Sequence, residues 1–246
     1  MPSGGVDRRV SHRLEVRPPD DRSIAWFRKV LQAYRVTNQR SFPWRDTGRS
    51  AYELVIAEIL LQRTKADHVS GMYRGFLSRF PNWSALADAR LQEIQALLKP
   101  VGLWRRKAKS LRAISEEMVR RNGIFPTSRD ELESIPAVGQ YVASAILLLV
   151  YDRREPLLDS NMARLLERFF GPRERADIRY DDYLQRLSRR VLSKADAKLL
   201  NWAILDLAAL VCRASNPRCA ACPLASECWY YRLTRSDLKT DPGAAW

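Results

Sequence analysis

Leu132-Glu133-Ser134-Ile135-Pro136-Ala137-Val138-Gly139-Gln140-Tyr141-Val142-Ala143-Ser144-Ala145 is the stretch whose reading decides the fold. A helical run ends, a tight Pro/Gly turn follows, and a helix of small residues begins. Small side chains at 143, 144 and 145 let two helices approach closely, and Gly139 allows a turn that most residues resist. The backbone N–H groups of such a turn, held at a helix N-terminus, are placed to bind a phosphate. Alone, the pattern fits an ordinary helix–turn–helix corner equally well, so its surroundings decide what it is.

Those surroundings are helical. Apolar residues recur at three- and four-residue spacing over Ile24–Tyr34, Tyr52–Arg63, His68–Arg79, Leu91–Leu98, Arg106–Arg120, Ala143–Val150, Met162–Phe170, Tyr180–Val191 and Lys198–Val211. Breakers separate them at Phe42-Pro43-Trp44, Phe80-Pro81-Asn82, Lys99-Pro100-Val101-Gly102, Asn122-Gly123-Ile124-Phe125-Pro126 and Gly171-Pro172. Ser84 and the run Thr127-Ser128-Arg129-Asp130 are helix-start signals. Alternating segments are scarce. The expectation is an all-α protein of roughly ten short helices.

The chain has 246 residues, 46% of them apolar, so a sizeable core is available. Lys and Arg number 42 against 28 Asp and Glu, a formal charge of +14, which points to a polyanionic partner. A merely basic surface would show the same imbalance. No apolar run approaches the ~18 residues of a membrane span. The N-terminus MPSGGVDRRVSHRLEVRPPDDR lacks a signal-peptide core and reads as a disordered basic leader over residues 1–22. The protein is therefore expected to be intracellular, in the cytoplasm or nucleoid, with no membrane association.

Four cysteines, Cys212, Cys219, Cys222 and Cys228, lie within seventeen residues and are the only ones in the chain. In a reducing compartment such clustering favours a metal site over disulfides, and four thiolates suit tetrahedral zinc or an iron–sulfur cube. Zinc sites more often pair two CxxC knuckles, and only one is present. The C-x6-C-x2-C-x5-C spacing resembles the [4Fe-4S] loop of the endonuclease III and MutY glycosylases. With Arg213, Arg218 and Arg232 around it, such a loop is expected to contact phosphate rather than break bonds.

The resemblance extends over about residues 24 to 232. Phe42-Pro43-Trp44-Arg45 comes first, then Glu58-Ile59-Leu60-Leu61-Gln62-Arg63-Thr64, then Val101-Gly102-Leu103. The hairpin follows, then Asp159, eighteen positions after Tyr141, in Glu155-Pro156-Leu157-Leu158-Asp159-Ser160-Asn161-Met162-Ala163-Arg164, and last the cysteines. This order is similar to that of the helix-hairpin-helix DNA glycosylases, most of all the mismatch-specific thymine glycosylases of the Mig type. The resemblance implies a two-lobed all-α fold. Residues 23–50 and 155–246 would form one lobe, with the cluster loop at 212–228. Residues 51–154 would form a helical barrel, with the hairpin at about 130–150 and the active site between the lobes. Ala137 departs from the family, which usually has a second glycine there.

By the same resemblance Asp159 stabilises the oxocarbenium-like sugar or positions the attacking water. Asp is also a good N-cap for a helix beginning at Ser160. Tyr141 stands where endonuclease III has a lysine that forms a Schiff base; a phenol cannot do this. Glu58 would contact the base as a carboxyl of raised pKa. Gln62 and Arg63 would wedge into the duplex, while Pro136, Val138, Gly139 and Gln140 would hold the backbone. Trp104-Arg105-Arg106-Lys107-Ala108-Lys109 is a phosphate-binding stretch or a solvated charged face.

The implied function is a monomeric, monofunctional glycosylase that flips thymine or uracil from opposite guanine in mismatched double-stranded DNA. An adenine glycosylase of MutY type is the alternative, weakened because the sequence runs only eighteen residues beyond Cys228. An oxidised-pyrimidine enzyme lacks its lysine. A non-catalytic iron–sulfur DNA-binding protein is the reading from outside enzymology.

Overall fold

The computed structural model describes residues 19–240, with side chains through residue 234. Most of the basic leader expected at 1–22 lies outside the described residues. Its end is corrected, because Asp20 caps α1 (Asp21–Asn38) by accepting from Ser23 N at 2.7 Å. Among the described residues there is no strand, and eleven further α-helices follow. They are α2 (Ala51–Leu61), α3 (Ala66–Arg79), α4 (Trp83–Ala87), α5 (Leu91–Leu98), α6 (Trp104–Arg120) and α7 (Arg129–Glu133), then α8 (Gln140–Leu149), α9 (Ser160–Phe170), α10 (Asp182–Leu192), α11 (Ala197–Leu210) and α12 (Trp229–Thr240). None is long and apolar enough to cross a membrane.

Apolar side chains gather into two cores. The first takes the inner faces of α2 to α8, including Ile56, Tyr73, Phe76, Ile94, Leu111 and Ile146. The second takes α1, α9, α10 and α11, including Phe27, Leu31, Leu166, Leu187 and Ile204. Each such side chain contributes about 1.5–3 kcal/mol on burial. Helix α8 belongs to both: Val142, Ala143, Ile146 and Leu147 face the first core, Ala145 and Leu148 the second, and Tyr141 packs on each. The small residues read from the sequence at 143–145 do let α8 sit between neighbours, against α2 and α7 on one side and α11 on the other.

A strap at residues 39–46 crosses between the cores. Phe42 and Trp44 pack in the first, although the sequence placed them with the other lobe. Arg45 reaches the second, pairing with Asp206 of α11 through Nη1–Oδ2 at 2.8 Å and Nη2–Oδ1 at 3.0 Å. Its guanidinium lies 5.2 Å from the rings of both Phe42 and Trp202.

Several boundaries differ from the periodicity. Helix α2 stops at Leu61 instead of Arg63, since Arg63 takes a left-handed φ of 53°. Asn82, not Ser84, caps α4 through Ala85 N. Ser128 stands at the N-cap of α7 but its side chain makes no capping bond. Asp181 caps α10, so the run read from Tyr180 begins with a separate 3-10 turn at Ile178–Tyr180. Helix α12 was not anticipated, because its sequence is polar and follows the cysteines directly.

Candidate active site

Helix α2 is buried from Val55 to Leu60, and Glu58 is the one charged side chain in that run, 5% exposed. Packing of α8 on α2 brings Tyr141 to it, and the Tyr141 Oη donates to Glu58 Oε2 at 3.0 Å. Burial pushes the Glu58 carboxyl up to about 7; the Tyr141 hydrogen bond pulls it down, the charge of nearby Asp159 pushes it further up, and Arg45 opposes. Burial, reinforced by the two carboxylates, holds the Tyr141 phenol well above its ordinary value. It is therefore a neutral donor, unable to act as an amine nucleophile would.

Asp159 is the N-cap that the sequence allowed, and it also lies in the electrostatic neighbourhood of Glu58 and Tyr141. It caps α9, with Oδ1 accepting from Asn161 N at 2.9 Å and Met162 N at 2.8 Å. Its Oδ2 accepts from Asn161 Nδ2 at 2.7 Å. Burial raises its pKa, opposed by these hydrogen bonds and by Arg164. Asp159, Glu58 and Tyr141 thus form one electrostatically coupled group. Two residues that sequence reasoning missed extend it. Arg164 Nη2 donates to Asn161 Oδ1 at 3.0 Å, and its Nε donates to the Cys212 carbonyl at 2.8 Å. A hydrogen-bonded chain therefore runs from the carboxylate to the first cysteine. The i, i+3 spacing of Asn161 and Arg164 behind Asp159 was the available signal. Arg45, inside a motif already noted, is the third: it is buried beside this group and its Nε has no partner.

A raised carboxyl pKa favours the fold while protonated. Stability from Glu58 is fully present below pH ~4.5 and is lost as pH rises towards its folded value of about 7. At pH 8 Glu58→Gln should therefore raise unfolding stability by about 3 kcal/mol, vanishing near pH 4. Denaturant titrations at the two pH values check this.

The hairpin joins α7 to α8 through Ser134–Gly139. Pro136, Ala137 and Gly139 are exposed and Val138 is buried, its N–H bonded to the Ile135 carbonyl at 3.0 Å. Gln140 accepts from Gln185 Nε2 at 3.4 Å. No side chain caps α8, whose N-cap is Gly139. The role expected of Gly139 is corrected. Its φ is −95°, open to any residue, and a Cβ there would meet nothing within 4 Å. The left-handed position is Ala137, φ 67°. A methyl there is strained, so Ala137→Gly should raise the thermal midpoint, by the equivalent of up to about 1 kcal/mol. A lowered midpoint would contradict this geometry.

Gln62 and Arg63 are exposed one turn beyond Glu58, at the end of α2. No bond joins them to the Glu58–Tyr141 pair. Beside them, unanticipated, stands Leu103, 45% exposed and left-handed at φ 58°. The two loops touch at Gly102, where a Cβ would lie 3.4 Å from the Arg63 carbonyl oxygen, ordinary van der Waals contact.

Cys212, Cys219, Cys222 and Cys228 line one largely apolar pocket with Leu165, Phe169 and Leu224. None is in a disulfide. Burial pushes the Cys222 thiol up to about 11 and raises Cys219 and Cys228. Arg168 places Nη1 3.5 Å from Cys212 Sγ, and Cys228 Sγ donates to the Arg168 carbonyl at 3.2 Å. Among the described residues no three Cys, His, Asp or Glu side chains are arranged to hold one metal ion.

Residues 56–192 match the family described as the HhH-GPD superfamily base excision DNA repair protein. A thymine/uracil-DNA glycosylase of Pyrobaculum aerophilum is 39% identical over 82% of this chain and 90% of its own. A thymine-DNA glycosylase of Aeropyrum pernix is 38% identical over 83% of this chain and 93% of its own. Among solved structures, that of a thermostable thymine-DNA glycosylase superposes with a TM-score of 0.79 at 26% identity, covering 86% of this chain and 98% of that one.

Proposed function

The chain belongs to the HhH-GPD superfamily of base excision DNA repair proteins, and on that premise we propose that it is a monofunctional mismatch DNA glycosylase removing thymine or uracil from opposite guanine. The observation that carries this reading is Tyr141, hydrogen-bonded to Glu58 beside Asp159, in the place where strand cleavage would require an amine. Relatives named as thymine and uracil glycosylases support the choice of base.

The two cores are read as two lobes with the base-binding site, formed by Glu58, Tyr141 and Asp159, between them, since Tyr141 packs on both. The uncapped start of α8, with Gly139 and Gln140, grips a phosphate, and the base swings out of the stack into the pocket. Gln62, Arg63 and Leu103 fill the gap it leaves. The C1′–N1 bond breaks with its electron pair leaving on the base. Asp159 faces the cationic sugar and orients a water that adds to C1′; the proton this water gives up neutralises the departing base anion, so sugar hydroxyl and free base are the products. Protonated Glu58, steadied by Tyr141, donates a hydrogen bond to a carbonyl oxygen of the departing base. With no Schiff base available, the product is an intact strand bearing an abasic site.

The four cysteines are read as holding a [4Fe-4S] cluster. They line one cavity, and their C-x6-C-x2-C-x5-C spacing, with a single CxxC pair, supports this centre over tetrahedral zinc. Bound there, the cluster would cross-link the 212–228 loop, which Arg164 and Arg168 tie to α9, with no part in bond breaking. Iron analysis of the purified protein tests this, with four irons per chain expected.

Duplexes carrying T:G, U:G, A:G or A opposite oxidised G, each with and without alkali, test the function. The account expects excision from T:G and U:G, with strand breaks only after alkali. Excision confined to the adenine duplexes would favour a MutY-type enzyme, and binding without excision a non-catalytic protein.

A further inference from the structure

Lys107 is the one buried lysine among the described residues, 3% exposed. It lies in the first turns of α6, and its backbone N–H donates to the Leu103 carbonyl at 2.9 Å. Its ammonium donates to the Leu60 carbonyl at 2.8 Å and to Thr64 Oγ1. Both side-chain partners are neutral, and no carboxylate pairs with it. Burial accordingly lowers its pKa to about 8. A charge held this way is retained at a cost that a methionine of similar length would avoid.

What it touches gives the cost a purpose. Leu60 supplies a terminal carbonyl of α2, where the helix dipole is negative. Thr64 closes the exposed Gln62–Arg63 turn, its N–H donating to the Leu61 carbonyl at 3.0 Å. Leu103 ends the neighbouring loop, which meets the Arg63 carbonyl through Gly102. Each loop carries an exposed residue in left-handed conformation, Arg63 and Leu103. Such geometry persists only where the surroundings hold it. The Lys107 ammonium is bonded to the first loop, while its backbone N–H makes the ordinary first-turn bond of α6 to Leu103. A lysine of lowered pKa is also a candidate nucleophile, but this amine is enclosed and spent on Leu60 and Thr64, closed to a sugar.

We propose that Lys107 is a positioning residue, whose buried ammonium ties the Gln62–Arg63 turn to the end of α2 and so holds it, against the neighbouring Leu103 loop, in the shape that enters the duplex at the extruded base. The proposal rests on reading those loops as the duplex-entering wedge.

The test compares two substrates in single-turnover excision: thymine in a fully paired T:G duplex, and the same thymine inside a bubble whose flanking bases are already unpaired. Lys107→Met, and Thr64→Val as a milder second variant, should lose about tenfold or more on the paired duplex and less than about threefold in the bubble. The thermal midpoint of Lys107→Met should hold or rise. Equal losses on both substrates, or none on either, would overturn the proposal. Arg63→Ala separates the premise: if it shows no duplex-selective loss, the wedge reading fails and takes the proposal with it. If Arg63→Ala shows that loss and neither Lys107→Met nor Thr64→Val does, the role of Lys107 alone falls. Should Lys107→Met not fold, Thr64→Val decides.

Discussion

Asp159→Asn is expected to lower base excision by about 10³-fold or more while leaving fold and duplex binding intact. The substitution separates the two jobs of this side chain. Asparagine caps a helix as well as aspartate does, so Asn161 N and Met162 N keep an acceptor and α9 keeps its start. What disappears is the negative charge facing the sugar. Asn161 also loses the acceptor for its amide, and Arg164 behind it loses a charge to attend. Unfolding curves should therefore nearly overlay those of the parent, and gel shifts on a T:G duplex should agree within a small factor. Excision within tenfold of the parent would remove Asp159 from the chemistry and leave it as a cap.

Asp206→Ala should have the largest effect on stability, a loss of about 3–5 kcal/mol in denaturant unfolding. Asp206 is 2% exposed and Arg45 8%, and their two hydrogen bonds are the buried link between the strap and α11. Removing the carboxylate strands the guanidinium, whose Nε is already without a partner, and deprives Arg40 N of its acceptor at 3.0 Å. Domains of this kind hold only about 5–15 kcal/mol in total, so poor accumulation of the variant is part of the expectation. Asp206→Asn, which keeps an acceptor for Arg40 N, should lose less. A loss under 1 kcal/mol for the alanine variant would mean that the pair is offset by its own desolvation.

What could be read in the sequence was what is local. The hairpin, the four cysteines and the cap-or-catalyst ambiguity of Asp159 all lie within short stretches whose chemistry follows from order and spacing. The small residues at 143–145 foretold a closely packed α8. The hairpin nevertheless misled in detail: its glycine drew attention, yet the left-handed residue is Ala137 and Gly139 is extended. Periodicity carries α2 past its end, because the left-handed turn at Arg63 leaves no mark in the apolar spacing. The Tyr141–Glu58 bond spans 83 positions and the Arg45–Asp206 pair 161, distances over which no pattern in one sequence speaks. For Leu103, inside the Val101-Gly102-Leu103 motif, exposure and a left-handed φ are features of the fold that spacing does not express.

The most direct measurement is single-turnover release of free base from a T:G duplex by the purified protein, with the product strand examined before and after alkali. Thymine released with the strand intact until alkali is added is the predicted result. No thymine released, or a strand broken at the site without alkali, would contradict the account.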